Sequence, residues 1–253
     1  MMSTSKLAKT KRVISVIFNM YTATVISSIL LVSDVRDPSL EEEEGTVVNN
    51  IVQSPYDSVF FIMVKTNKAK YICSAFAVSK TTVLTAAHCL DHREIHQIEI
   101  RMPDGDKYSK QITKRYSISD SYDSKTKRND YAAVFLSSPV KSKPFCLASF
   151  SKVNKVVQTT GFPGSKQNYP EHIEMWSSEH QILQMEDSFG EYSGESESGQ
   201  SGSPVFTIRE DGESEAYGVL SQSTGILSGE DYSRFHSFNN KSLKEIRGWI
   251  STC

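Results

Sequence analysis

The sequence predicts an all-β domain closed by a C-terminal helix. Two observations carry this expectation. From Val47 onward, short apolar segments of strand-forming residues alternate with turn residues. Helix signals stay scarce until the last dozen residues, where one amphipathic stretch appears. The 253 residues suffice for one large domain or two small ones, and 38% apolar with 23% charged residues is the balance of a soluble globular chain.

Taken in order, the chain begins with a basic segment. Lys6, Lys9, Lys11 and Arg12 precede Val13 to Val32, which carries no charge. That layout predicts a signal peptide over residues 1–32, or a signal anchor if it is retained. Polar residues such as Asn19, Thr22 and Ser27 dilute the stretch and favour cleavage over a stable anchor. Residues 33–46 are polar and acidic, with a run from Glu41 to Glu44, and read as a propeptide or tether. Strands are expected at 59–64, 71–78, 83–85, 95–101, 132–136, 155–160, 181–185, 204–208 and 216–221. Turns fall at 103–106, 161–164 and 210–212, each marked by Gly with Pro or Asp. A helical turn is expected at 86–91. The final helix runs from Ser242 to Ser251, capped by Asn240, with Leu243, Ile246, Trp249 and Ile250 on one face.

The formal net charge of −2 leaves no basic excess to neutralise phosphates, which argues against nucleic acid as the partner. The basic run Lys125 to Arg128 reads as a solvated loop. Four cysteines suit an exported protein and allow three pairings. They lack metal-site spacing, and His92 with His96 has no further ligand in view, so both read as surface residues and no metal or other cofactor is expected.

Three short segments carry chemistry: Thr85-Ala86-Ala87-His88-Cys89, Asn129-Asp130, and Gly199-Gln200-Ser201-Gly202-Ser203-Pro204. A serine hydroxyl is a poor nucleophile near neutral pH. It needs an imidazole to take its proton and a carboxylate to orient that imidazole. Each segment alone has a plainer reading: a hydrogen-bonded histidine, a turn at Asn-Asp, a flexible Gly/Ser connector. Together they supply His, Asp and Ser for nucleophilic acyl transfer.

On these segments, and on the terminal Trp249-Ile250 helix, the chain from about residue 47 to 253 resembles the chymotrypsin-like serine peptidases. The Gly161-Phe162-Pro163 turn and the short interval from Asp130 to Ser201 are closer to the bacterial V8-like branch. The resemblance implies two six-stranded antiparallel β-barrels, the first over about 47–142 and the second over about 143–253. It implies His88 as general base, Asp130 as its orienting carboxylate and Ser201 as nucleophile. The backbone N–H groups of Gly199 and Ser201 would form the oxyanion hole. A Cys73–Cys89 bridge is implied too. Cys146 resembles the family cysteine that bridges to a leader segment, but no cysteine precedes Cys73, which leaves either a pairing with Cys253 or a free or intermolecular thiol. The implied protein is a secreted, monomeric endopeptidase acting on polypeptides, membrane-bound only if the leader is retained. A catalytically silent homologue serving as a binding module is the alternative.

Two departures from the family pattern bear on activation and specificity. Gln200 stands where animal trypsins carry the aspartate that receives the freed N-terminal amine. Glu195 falls at the floor of the primary pocket, beside Ser196, with Ser221 and Ser223 on the substrate-pairing strand. Arg234 falls on the opposite wall, where it could neutralise Glu195 or bind an acidic side chain; Glu195 and Glu197 could equally face solvent. V8-like glutamyl selectivity uses a histidine in the Leu220 region, and none occurs between residues 181 and 235.

Overall fold

The computed structural model describes residues 45–149, 155–227 and 230–251. The leader over 1–32, nearly all of the acidic segment and Cys253 lie outside the described residues.

The first sheet is built from β2 (Val59–Thr66), β3 (Lys70–Ala77), β4 (Thr82–Thr85), β5 (Ile95–Asp104), β6 (Lys107–Thr113), β7 (Tyr116–Ile118) and β8 (Ala132–Phe135). Its strand order is β6-β5-β2-β3-β4-β8-β7. The second holds β10 (Val156–Gly161), β11 (Trp176–Met185), β12 (Gly190–Ser193), β13 (Pro204–Ile208), β14 (Ser214–Leu227) and β15 (Glu230–Ser237). These six close on themselves, because β11 pairs with both β10 and β12. Two short strands join that ring from outside: β1 (Thr46–Val47) pairs with β11, and β9 (Cys146–Leu147) with β14.

The two-barrel architecture is therefore present, with one difference of detail. The second barrel is a closed six-stranded ring, whereas the first is a seven-stranded sheet whose edge strands β6 and β7 do not pair among the described residues. Strand β1, at the start of the span expected for the first barrel, pairs with β11 of the second sheet.

Burial follows the sequence pattern. Val59 to Val64 reads as an unbroken apolar run because β2 is central and covered on both sides. Phe61 meets Phe162 edge-on at 5.7 Å and stacks on Tyr169 at 5.4 Å, so β2 also packs on the 162–175 loop of the second barrel. The second barrel has its own small core of Val157, Ile182, Tyr192, Val205, Leu220 and Phe235.

The helix α1 spans Asn240–Ser251. Its cap is Asn239, one residue before the expected Asn240. The Asn239 Oδ1 accepts the Ser242 N–H at 3.0 Å, and the Ser242 Oγ accepts the Asn239 N–H at 3.0 Å. Leu243 and Ile246 are buried in the main core, and Trp249 lies 5.7 Å from the Tyr131 ring. The helix thus braces the residue that follows Asp130.

Candidate active site

His88 sits on a 3-10 turn, Ala87–Cys89, just after β4. Asp130 precedes β8. Asn129 has φ 52, a left-handed conformation that Asn tolerates better than most residues, and it turns the chain so that Asp130 points inward. The Asn129 amide also donates to the Ser121 carbonyl at 3.0 Å, so the plain turn reading of Asn-Asp is correct as well. Asp130 is fully buried. Its Oδ2 lies 2.7 Å from His88 Nδ1, its Oδ1 accepts the His88 backbone N–H at 2.9 Å, and the Ser221 hydroxyl donates to Oδ2. Burial alone would raise the Asp130 carboxyl. The hydrogen bonds and the charge attraction from His88, with the Ser221 bond, outweigh it and hold the carboxyl below the ordinary range.

Ser201 lies on the loop between β12 and β13. Its hydroxyl donates to the Ser221 carbonyl at 3.1 Å, and no hydrogen bond joins it to His88, although both residues line one cavity. Around it the backbone is heavily committed. Gln200 N–H donates to the Glu197 carbonyl, Gly202 N–H to Leu220, and Ser203 N–H to Gln200. The N–H groups of Gly199 and Ser201 donate to no protein group among the described residues. These two donors, on either side of the committed Gln200, are left available to a further acceptor.

The loop conformation depends on glycine. Gly199 has φ +98, and a Cβ there would stand 2.5 Å from the Phe162 carbonyl. A Cβ on Gly202 would stand 2.1 Å from the Ser74 carbonyl. Gln200 folds back on its own loop, its Oε1 accepting the Glu197 N–H at 2.7 Å.

The remaining sequence-selected residues divide. Cys73 and Cys89 form a disulfide across the histidine turn. Ser221 is buried at Asp130, Ser196 is buried, and Ser223 is half-buried opposite Ser233. Glu195 is exposed. Arg234 does not neutralise it. Strand register sets Glu191 opposite Arg234, the guanidinium binds the Glu191 carboxylate at 2.6 Å, and it lies 4.5 Å from the Phe189 ring centre. An arginine already paired in this way is a poor receptor for an acidic substrate side chain. Among the described residues Cys146 has no disulfide partner; its sulfur lies 3.4 Å from Glu213, and the candidate partner Cys253 lies outside the described residues.

Three contributors escaped the sequence reading. Ser74 is fully buried, donates to the Gly199 carbonyl at 2.9 Å and accepts the Phe162 N–H at 3.0 Å. His92 is no bare surface residue: it is half-buried and stacks on Tyr71 with ring centres 3.9 Å apart. His236 is buried and stacks at 4.3 Å on Tyr131, the residue that follows Asp130. No local motif announces any of the three.

The grouping that approaches metal-ligand geometry among the described residues is Cys73, His88 and Cys89. Its two sulfurs are joined to each other and so are not thiolate donors.

The family model described as Trypsin matches residues 47–242. A glutamyl endopeptidase of Staphylococcus aureus (strain MW2) is 27% identical over 169 residues, covering 63% of this chain and 50% of the relative. That of strain MRSA252 is also 27% identical over 169 residues, covering 63% of this chain and 46% of the relative. The chain thus spans about half the length of the curated relatives it matches. A solved structure described as Glu endopeptidase in complex with MPD superposes with TM-score 0.68 at 14% identity, covering 82% of this chain and 96% of that one.

Proposed function

The chain belongs to the trypsin family, and from that premise we propose that it is a secreted serine endopeptidase working through His88, Asp130 and Ser201. The observation that carries the reading is the pair of uncommitted N–H groups, Gly199 and Ser201, beside a hydroxyl whose neighbouring imidazole is fixed by a buried carboxylate.

In the proposed cycle the Ser201 hydroxyl turns from the Ser221 carbonyl to His88 when substrate enters. His88 takes its proton as the oxygen attacks the scissile carbonyl, and Asp130 stabilises the resulting imidazolium. The negative charge on the former carbonyl oxygen falls on the two free donors. Losing one such donor typically costs on the order of 3 kcal/mol of transition-state stabilisation. His88 then gives its proton to the leaving amine, an acyl-enzyme remains on Ser201, and water completes hydrolysis by the reverse steps.

Secretion is supported by the basic and then apolar leader pattern and by a disulfide that an oxidising compartment would preserve. Glutamyl selectivity, which the relatives' names carry, is not part of the proposal. Leu220 is buried in the barrel core, and Arg234 is occupied by Glu191.

The test is covalent labelling by a serine-directed phosphonate. The unmodified protein should take the label, and Ser201→Ala and His88→Ala should each lose it while keeping the circular dichroism of the parent. Labelling that survives both changes would overturn the assignment.

A further inference from the structure

A cavity of about 360 Å³ opens beside Ser201. Lys70 and Tyr71 of β3, the Cys73–Cys89 disulfide, His92 and Ser198 are among the residues that line it. Ser221, Ser223, Glu195 and Arg234 do not. The Ser201 hydroxyl points to Ser221 on β14, so β14 lies to one side of the nucleophile, while this cavity has His88 in its wall. In acyl transfer the imidazole hands its proton to the leaving amine, so the cavity on the imidazole side faces the segment beyond the scissile bond.

Its charge is one-sided. Lys70 is exposed and makes no ion pair among the described residues. Its cross-strand partner Lys65 has its charge met by Glu99 at 2.9 Å, so Lys70 alone of that pair is uncompensated. No carboxylate lines the cavity. Glu197, in the adjoining loop, is engaged by the Ser165 hydroxyl, and Asp91, next to His92 in the chain, lies outside the lining. His88 adds positive charge during the reaction itself. The Tyr71–His92 stack, nearly parallel at 10°, forms a flat side wall for an aliphatic stem. Burial lowers the basicity of His92, which keeps that wall neutral near pH 7.

We propose that this cavity is a subsite for the leaving-group side of a polypeptide and selects an acidic side chain there, with Lys70 as its charge partner. The proposal rests on the serine-endopeptidase reading and adds a substrate preference to it. A lysine at an open rim gives an exposed ion pair, so the preference is modest, about two- to fivefold.

The experiment digests a diverse peptide mixture with the mature protein and reads cut sites by mass spectrometry, which requires no knowledge of the residue preferred before the cut. Asp and Glu should be enriched by that factor at the first or second position after the cut. Lys70→Ala should erase the enrichment, and Lys70→Glu should invert it towards Lys and Arg. Phosphonate labelling of each preparation separates the two readings. Labelled protein that cuts without acidic enrichment, or a Lys70→Glu pattern identical to the parent, overturns the subsite while leaving the peptidase standing. Unmodified protein that neither labels nor cuts overturns the peptidase, and the subsite falls with it.

Discussion

The buried hydroxyl of Ser74, on β3 of the first sheet, donates to the carbonyl of Gly199 in the Ser201 loop of the second barrel, 2.9 Å away. The same oxygen accepts the Phe162 N–H, and the Ser74 backbone N–H donates to the Ser201 carbonyl at 2.8 Å. One side chain therefore holds the carbonyl of Gly199, the residue whose own N–H is a free donor among the described residues. It also ties both barrels together beneath Ser201.

Ser74→Ala should accordingly cost both stability and rate. The change leaves a buried N–H and a buried carbonyl without their partner, a loss of about 1–3 kcal/mol for such groups. Urea denaturation should show the stability loss. Phosphonate inactivation should slow by roughly tenfold or more as the loop loosens around its donors. Ser74→Thr, which keeps the hydroxyl, should recover part of the rate if the hydrogen bonds are what matter.

Gln200 holds the same loop from within. Its Oε1 accepts the Glu197 N–H, so the loop carries its own internal brace, and position 200 itself offers no carboxylate to an N-terminal ammonium. Gln200→Leu should lower kcat with little change in KM, because the donors act on the transition state; a loss of about 1 kcal/mol, near fivefold, is expected for one hydrogen bond. Gln200→Glu keeps an acceptor and should retain most of the activity. A rise in KM alone would contradict the role assigned to this brace.

How far such features can be read from sequence depends on how local they are. The proximity of His88 to Asp130, and of His88 to Ser201 along one cavity, is legible because each lies in a short frame of small or turn-forming residues. The central strand at Val59 is legible because full burial makes it continuously apolar. Strands β6, β12 and β15 are not. β6 is an edge strand with exposed positions, and β12 and β15 carry Glu191, Arg234 and His236, whose burial is made acceptable by partners far away in the chain. The Ser74–Gly199 bond spans 125 residues and the Arg234–Glu191 pair spans 43, so only the assembled fold brings them together. Arg234 illustrates the error this produces: without strand register, Glu195 is as plausible a partner as Glu191.

Acid should destabilise the fold first through two histidines, His236, which is buried, and His180, which is half-buried. Burial lowers His180 to about 4, against a backbone hydrogen bond from its ring to Ser193 that acts the other way. Burial likewise lowers His236 to about 4, opposed by its bond to Ser188 and the nearby Asp130 charge. Both are less basic folded than unfolded, so the unfolded chain binds more protons between about pH 6.5 and 4. Stability should be full above that window and fall as pH drops through it, by on the order of 3 kcal/mol per histidine at most. Replacing both by Gln should flatten the curve of urea midpoint against pH over this range. An unchanged slope would show that neither ring stays neutral.

Below that window a second group takes over. Glu99 on β5 is fully buried, yet three cations surround it: Lys65 at 2.9 Å, Arg101 at 2.8 Å and Lys110 at 3.5 Å. The Tyr169 hydroxyl, from the second-barrel loop, also donates to it. Burial would raise this carboxyl, but the Tyr169 and Lys65 hydrogen bonds and the Arg101 charge carry it down to about 2. A depressed carboxyl stabilises the fold above its unfolded pKa near 4.5 and loses that contribution as pH falls towards 2. Glu99→Gln removes the titration and strands three positive groups on a tightly packed face. The cations keep partial access to water, so the loss should be about 1–3 kcal/mol, below that of a fully buried pair. Tyr169→Phe should cost less, because it removes one donor and leaves all three cations paired. Acid titrations of the two variants distinguish the causes. Glu99→Gln should abolish the stability change between pH 4.5 and 2 that this carboxylate produces, whereas Tyr169→Phe should shift that change to higher pH. A Glu99→Gln profile parallel to the parent at every pH would show that the cluster contributes packing rather than charge.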